Sequence, residues 1–97
     1  MSDLALQTIS VSSASYPAAA SPQVDIGWEP DSVLLVNRSS TSTDIVYFSF
    51  DGREDHGLLI PGTIPAIEWK GKRKRVWLRR DSGAATTSVN VMANTVR

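Results

Sequence analysis

Apolar side chains recur along this chain at every second residue, in short runs that Gly, Pro, Asp and Ser interrupt at intervals of roughly eight to twelve residues. A period of two sends successive side chains to opposite faces of an extended strand, whereas a helix needs apolar residues spaced by three and four, and no segment here carries such a stripe. Leu4 to Val11 alternates. Val24, Ile26 and Trp28 follow at period two, and Ser32 to Arg38 holds the continuous run Val33, Leu34, Leu35, Val36 of a buried strand. Asp44 to Phe50 places Val46, Phe48 and Phe50 on one face. Leu58 to Ile60, Ala66 to Lys70, Arg73 to Arg80 and Thr87 to Thr95 complete a set of about eight strands. The pattern predicts an all-β protein, an antiparallel β-sandwich or jelly roll.

The connections are equally legible. Asp51 and Gly52 open a polar turn that runs to Gly57 and reverses a hairpin, while Pro61, Gly62 and Pro65 bracket a bend. Lys70, Gly71 and Lys72 predict a second hairpin, and Asp81, Ser82 and Gly83 a further turn. Ser12 to Pro22 is rich in Ser and Ala and punctuated by Pro17 and Pro22, which leaves too little bulk for a core strand. It reads as an arm that orders against a neighbour or as a loop packed on its own domain. Ninety-seven residues make one domain, of a size that still exposes much surface and gains from oligomerisation. With no cysteine, stability rests on packing. The absence of a long apolar run and of a basic, apolar N-terminal start predicts a soluble protein made in the cytoplasm, with no membrane partner.

The formal net charge of zero is a cancellation. Residues 1–69 carry two basic and nine acidic side chains, a net of −7, and residues 70–97 carry eight basic and one acidic, a net of +7. Seven of the ten basic residues, Lys70, Lys72, Arg73, Lys74, Arg75, Arg79 and Arg80, fall between positions 70 and 80 together with Trp77. Strand alternation sets Arg73, Arg75, Trp77 and Arg79 on one face and Lys74, Val76, Leu78 and Arg80 on the other. If Val76 and Leu78 point inward, Trp77 stands outside between arginines, a combination enriched at protein-binding hot spots. The expected interface is therefore Lys70, Lys72, Arg73, Arg75, Trp77, Arg79 and Arg80. The plainer reading turns Trp77 inward and leaves the arginines as a solvated edge that discourages aggregation. Nucleic acid is the other polyanionic partner such a cluster suggests, but the acidic remainder of the chain argues against it.

Catalytic chemistry finds little support. His56 is the single histidine, and no nucleophile or orienting carboxylate is tied to it by spacing. Asp51, Glu54, Asp55 and His56 form an oxygen-rich cluster without the ligand spacing of a calcium loop, so a solvated hairpin tip is expected. The six glycines are scattered singly at turns and make no phosphate loop. No enzyme activity, metal or cofactor is expected. Trp28 and Trp69 read as core or rim aromatics, or as a platform for a sugar.

The short first strand, the Ser/Ala stretch, Ser32 to Arg38 with its Asn37, the polar loop to Ile45–Phe50, the run Leu58, Leu59, Ile60, Pro61, Gly62, the strand with Glu68 and Trp69, and the closing Val91, Met92, Ala93 together resemble small structural proteins of tailed-bacteriophage virions. The likeness is one of pattern and covers most of the chain. It implies a compact β-sandwich that decorates or cements a capsid, often as a trimer, with the major capsid protein or another virion protein as partner. A neck or tail component, or a small nucleic-acid- or carbohydrate-binding module, is the alternative. The basic cluster departs from the largely neutral late strands of that pattern.

Overall fold

The computed structural model of the chain describes residues 2–18, 21–26, 30–70 and 75–96, and among these it contains eight strands and no helix. They are β1 (Ser2–Val11), β2 (Val24–Asp25), β3 (Ser32–Asn37), β4 (Val46–Ser49), β5 (Gly57–Leu59), β6 (Ala66–Lys70), β7 (Arg75–Arg80) and β8 (Thr87–Val96). Two four-stranded sheets result, one ordered β1-β8-β3-β6 and the other β2-β7-β4-β5, and every pairing is antiparallel. The all-β, antiparallel expectation holds. Trp28 lies outside the described residues.

One rule generates this order. β1 pairs with β8, β2 with β7, β3 with β6, and β4 with β5, so the chain is a single long ribbon doubled at the turn after β4. Alternate segments of that ribbon fall in alternate sheets, and the β3–β8 and β4–β7 ladders join them side by side. The Asp51–Gly52 turn is thus the tip of the ribbon, where Gly52 adopts φ 77°, a conformation that costs glycine nothing and other residues strain. β6 and β7 are not partners, contrary to the expected hairpin. β6 pairs with β3 in the first sheet and β7 with β2 and β4 in the second, so no hairpin joins them. The described strands on either side of residues 71–74 belong to different sheets, and the expected turn at Gly71 and Lys72 lies outside the described residues.

Both sheets feed one core. Val11, Val33, Leu35, Val89, Val91 and Ala93 enter it from the first sheet, and Val24, Val46, Phe48, Leu59, Val76 and Leu78 from the second. Each such large side chain withdrawn from water contributes about 1.5–3 kcal/mol. β3 is not buried on both sides, as its continuous apolar run suggested: Val33 and Leu35 face the core, while Leu34 and Val36 lie half-buried on the far face. The gap between sheets at the end of β3 is bridged by a polar side chain. Asn37 is 3 % exposed; its Nδ2 donates to the carbonyls of Asp44 at 2.7 Å and Leu59 at 3.3 Å, and its Oδ1 accepts from the Ser39 amide at 2.9 Å. All of its bonding groups are used, which is what a buried amide requires.

Replacing Asn37 by Ala is expected to cost about 1–3 kcal/mol, because two carbonyls lose their donor. Asn37→Asp is expected to cost more at neutral pH, since it sets a carboxylate against those same carbonyls. Urea unfolding of the two variants checks the ranking; equal stabilities would remove Asn37 as the bridge.

Candidate functional site

β7 is the strand on which the expected interface was centred, and its surroundings decide what that interface can be. On its open side it pairs with β2 for only two residues, Val24 with Val76 and Asp25 with Arg75. Pro22 has no amide hydrogen with which to continue the ladder. The Gln23 side chain continues it instead: Oε1 accepts from the Leu78 amide at 2.9 Å, and Nε2 donates to the Leu78 carbonyl. One residue pair further on, the Arg80 amide donates to the Ser13 carbonyl at 2.9 Å. A primary amide matches a peptide unit in both donor and acceptor, so the edge of β7 is satisfied without a neighbouring strand.

The same segment covers the outer face. Val76 and Leu78 point into the core, so Trp77 points out of it, as alternation predicts, yet Trp77 is only 4 % exposed. Its Nε1 donates to the Ala18 carbonyl at 3.2 Å, and a Cβ built on Gly52 would stand 2.9 Å from its Cε2 and Nε1. The indole is clamped between residues of the 12–23 segment and the ribbon tip. Trp77 is therefore not an exposed contact residue, and the expectation that it stands between two arginines in solvent is corrected. Sequence alternation told its face correctly but not what would lie on that face.

Arg79 and Arg80 serve the same fastening. Arg79 makes a bidentate pair with Asp55, Nη2 to Oδ2 at 2.7 Å and Nε to Oδ1 at 3.1 Å, and its guanidinium lies 4.1 Å from the Tyr47 ring centroid and 5.5 Å from that of Tyr16. The Tyr16 hydroxyl donates to the same carboxylate. Hydrogen bonding from Arg79 holds the Asp55 carboxyl below its ordinary value, and burial together with Asp55 pushes the Tyr16 hydroxyl up. Arg80 Nε donates to the Ser12 carbonyl at 2.9 Å, and its Nη1 to the carbonyls of Ala84 at 3.0 Å and Asp81 at 3.3 Å. The described residues 12–18 and 21–23 form a strap over their own sheet.

What stays open is the other end of the basic segment. Lys70 ends β6 exposed, and Arg75 begins β7 half-exposed, with a 3.4 Å ion pair to the equally exposed Asp25. Such a pair is worth little in water and leaves Arg75 able to bind elsewhere. Lys72 and Arg73 lie outside the described residues, between these two in sequence.

The ribbon tip organises itself. Asp51 Oδ1 accepts from the Arg53 amide at 2.8 Å, the Glu54 amide at 3.1 Å and Ser49 Oγ at 2.8 Å, which lowers its pKa to about 2. His56 Nδ1 accepts from the Phe50 amide at 2.8 Å, and its ring stacks on that of Phe50. Among the described residues no three acidic or histidine side chains gather as cation ligands. Trp69 packs at the rim of the core, 4.8 Å from Phe50 between ring centroids. No protein-family model matches the chain, and no curated protein matches it.

Gln23→Ala is expected to lower stability by about 1–3 kcal/mol, because it strands both bonding groups of Leu78, and Gln23→Glu by at least as much at neutral pH through loss of the donor. Thermal melting of each variant reads the cost, and an unchanged midpoint for both would show that the edge finds another partner. On the acid side, a carboxyl whose folded pKa is depressed stabilises the fold above its unfolded value of 3.8 and loses that contribution as pH falls towards about 2. Asp51→Asn, which keeps an acceptor but cannot titrate, is expected to flatten the stability curve between pH 4 and 2. Melting against pH checks the slope.

Proposed function

We propose that this chain is a non-enzymatic structural protein of a virion, which binds the capsid shell and stabilises it as a decoration or cement subunit. In this reading the two sheets form a β-sandwich of jelly-roll type. The doubled ribbon supports that description, because pairing β1 with β8, β2 with β7, β3 with β6 and β4 with β5 is what rolling up one long hairpin produces. Double-sheet jelly rolls serve in viral capsid and lectin domains, among others, and a fold alone does not choose between such uses.

The choice rests on the basic crossover between the sheets. Five of the six residues from Lys70 to Arg75 are basic, and the remainder of the chain then carries five basic and ten acidic side chains, a net of −5. A short cationic segment at one end of an otherwise acidic body suits an acidic patch on a protein neighbour, such as the major capsid protein or another virion protein. A polyanion would be repelled beyond that small footprint, which disfavours nucleic acid. Trp77 buried and Trp69 packed on Phe50 leave no open indole platform among the described residues, which disfavours a sugar. The proposed contact is therefore Lys70, Lys72, Arg73 and Arg75, with Trp77, Arg79 and Arg80 kept for the strap. The subunit is made in the host cytoplasm and resides in the virion.

Lys70→Glu with Arg75→Glu is expected to weaken binding to shells of the same virus at least about tenfold while leaving the melting temperature near that of the parent, since both side chains are exposed. Co-sedimentation with shells at two salt concentrations, beside melting, checks this. Undiminished shell binding by the double variant, or steeply salt-dependent binding of the parent to oligonucleotides, would overturn the proposal.

A further inference from the structure

β1 is an edge strand that lacks the usual protection of an edge. It pairs with β8 through ten consecutive residues without a bulge, and among the described residues no strand pairs with its other side. Native edges are blunted by lysine, proline, bulges or brevity. The other edges of this fold comply. β2 has two residues and follows Pro22, β5 has three and precedes Pro61, and β6 follows Pro65 and carries Glu68 and Lys70. β1, in contrast, contains no Lys, Arg, Pro or Gly, and Asp3 is its single charge. Gln7, Thr8 and Ser10 are exposed on it, while Ile9 packs against the core and Val11 is buried.

We infer that β1 is a self-association edge, which pairs antiparallel with β1 of a second copy about a two-fold axis and joins the two β1-β8-β3-β6 sheets into one. This deepens the homo-oligomer part of the proposed function by naming the surface, and it replaces a three-fold arrangement with a two-fold one. A second copy is favoured over a foreign strand by charge. A two-fold perpendicular to the sheet keeps faces matched, so residues of equal parity stand opposite each other, and the central registers pair residue 6 or residue 7 with itself. Asp3 then stands opposite Ile9 or Val11, never opposite Asp3. The two copies of Lys70 are also kept apart. Ser32 is opposite both Lys70 and Asn94, and Asn94 is opposite Leu4, so Lys70 lies level with the N-terminal end of β1. Antiparallel pairing sends the two N-terminal ends, and with them the two copies of Lys70, to opposite ends of the joined sheet.

The chain's lack of cysteine makes a clean test available. Single cysteines at Ala5, Leu6, Gln7, Thr8 and Ile9, with Ser88→Cys and Ala66→Cys as controls, are oxidised mildly, and the parent's mass is measured by sedimentation over a range of concentrations. Only a residue opposite itself is close enough to form a disulfide with its own copy. The expected result is a dimer mass and a sharp disulfide maximum at Leu6→Cys or Gln7→Cys. Gln7→Lys, an edge lysine at an exposed position, is expected to weaken the dimer at least tenfold without lowering the monomer's melting temperature. A monomer or trimer at every concentration, or a disulfide yield that is flat or greatest at a control, overturns the inference. A dimer with that maximum which fails to bind shells would end the virion reading and leave this one standing; a monomer that binds shells would do the reverse.

Discussion

β7 presents two faces and one bare edge, and all three have to be dealt with before it can sit at the centre of a sheet. Val76 and Leu78 fill the core from one face, but Trp77 emerges from the other, and β2 covers the edge for only two residues. The strap, described over residues 12–18 and 21–23, answers both demands at once. Gln23 and Ser13 supply the missing ladder bonds, while Ala18 and Tyr16 close over Trp77 and Arg79. Because β4 and β5 hang on the other side of β7, the second sheet is held to its neighbour through a strand that depends on this cover. Six internal hydrogen bonds are traded for the solvent contacts of two arginines and one indole, which is why the most conspicuous cationic stretch is only partly a surface.

Period-two patterning made the strands readable, because a half-buried sheet imposes it residue by residue. Val46, Phe48 and Phe50, or Val89, Val91 and Ala93, told their faces without ambiguity, and all six are buried. Connectivity was less accessible. Lys70, Gly71 and Lys72 carry the composition of a tight turn, but composition cannot distinguish a turn that returns to the same sheet from one that passes to the facing sheet. That choice is made by partners far away in sequence: β3 for the strand before, β2 and β4 for the strand after.

The expected exposure of Trp77 failed where a local rule met a distant segment. Alternation placed Trp77 correctly outside the core, and nothing within ten residues of it tells that Ala18 returns to cover it. The signal available was the strap itself. A proline-punctuated Ser/Ala segment of that length in so small a domain needs something to lie on, and an outward Trp flanked by Arg is a suitable bed. Lys70 and Arg75 are exposed, and among the described residues the strap does not reach them. The division is physical: one part of the basic segment is consumed in holding the fold, and the other remains to meet a partner.

The strap acts as one cooperative cover, and native-state hydrogen exchange reads that directly. The Trp77 indole N–H and the backbone amides of Leu78 and Arg80 bond to three different places on the strap, Ala18, Gln23 and Ser13. A single cover predicts that all three protons are strongly protected and exchange with one common opening free energy. Rapid exchange of the indole N–H, or three unrelated protections, would contradict it.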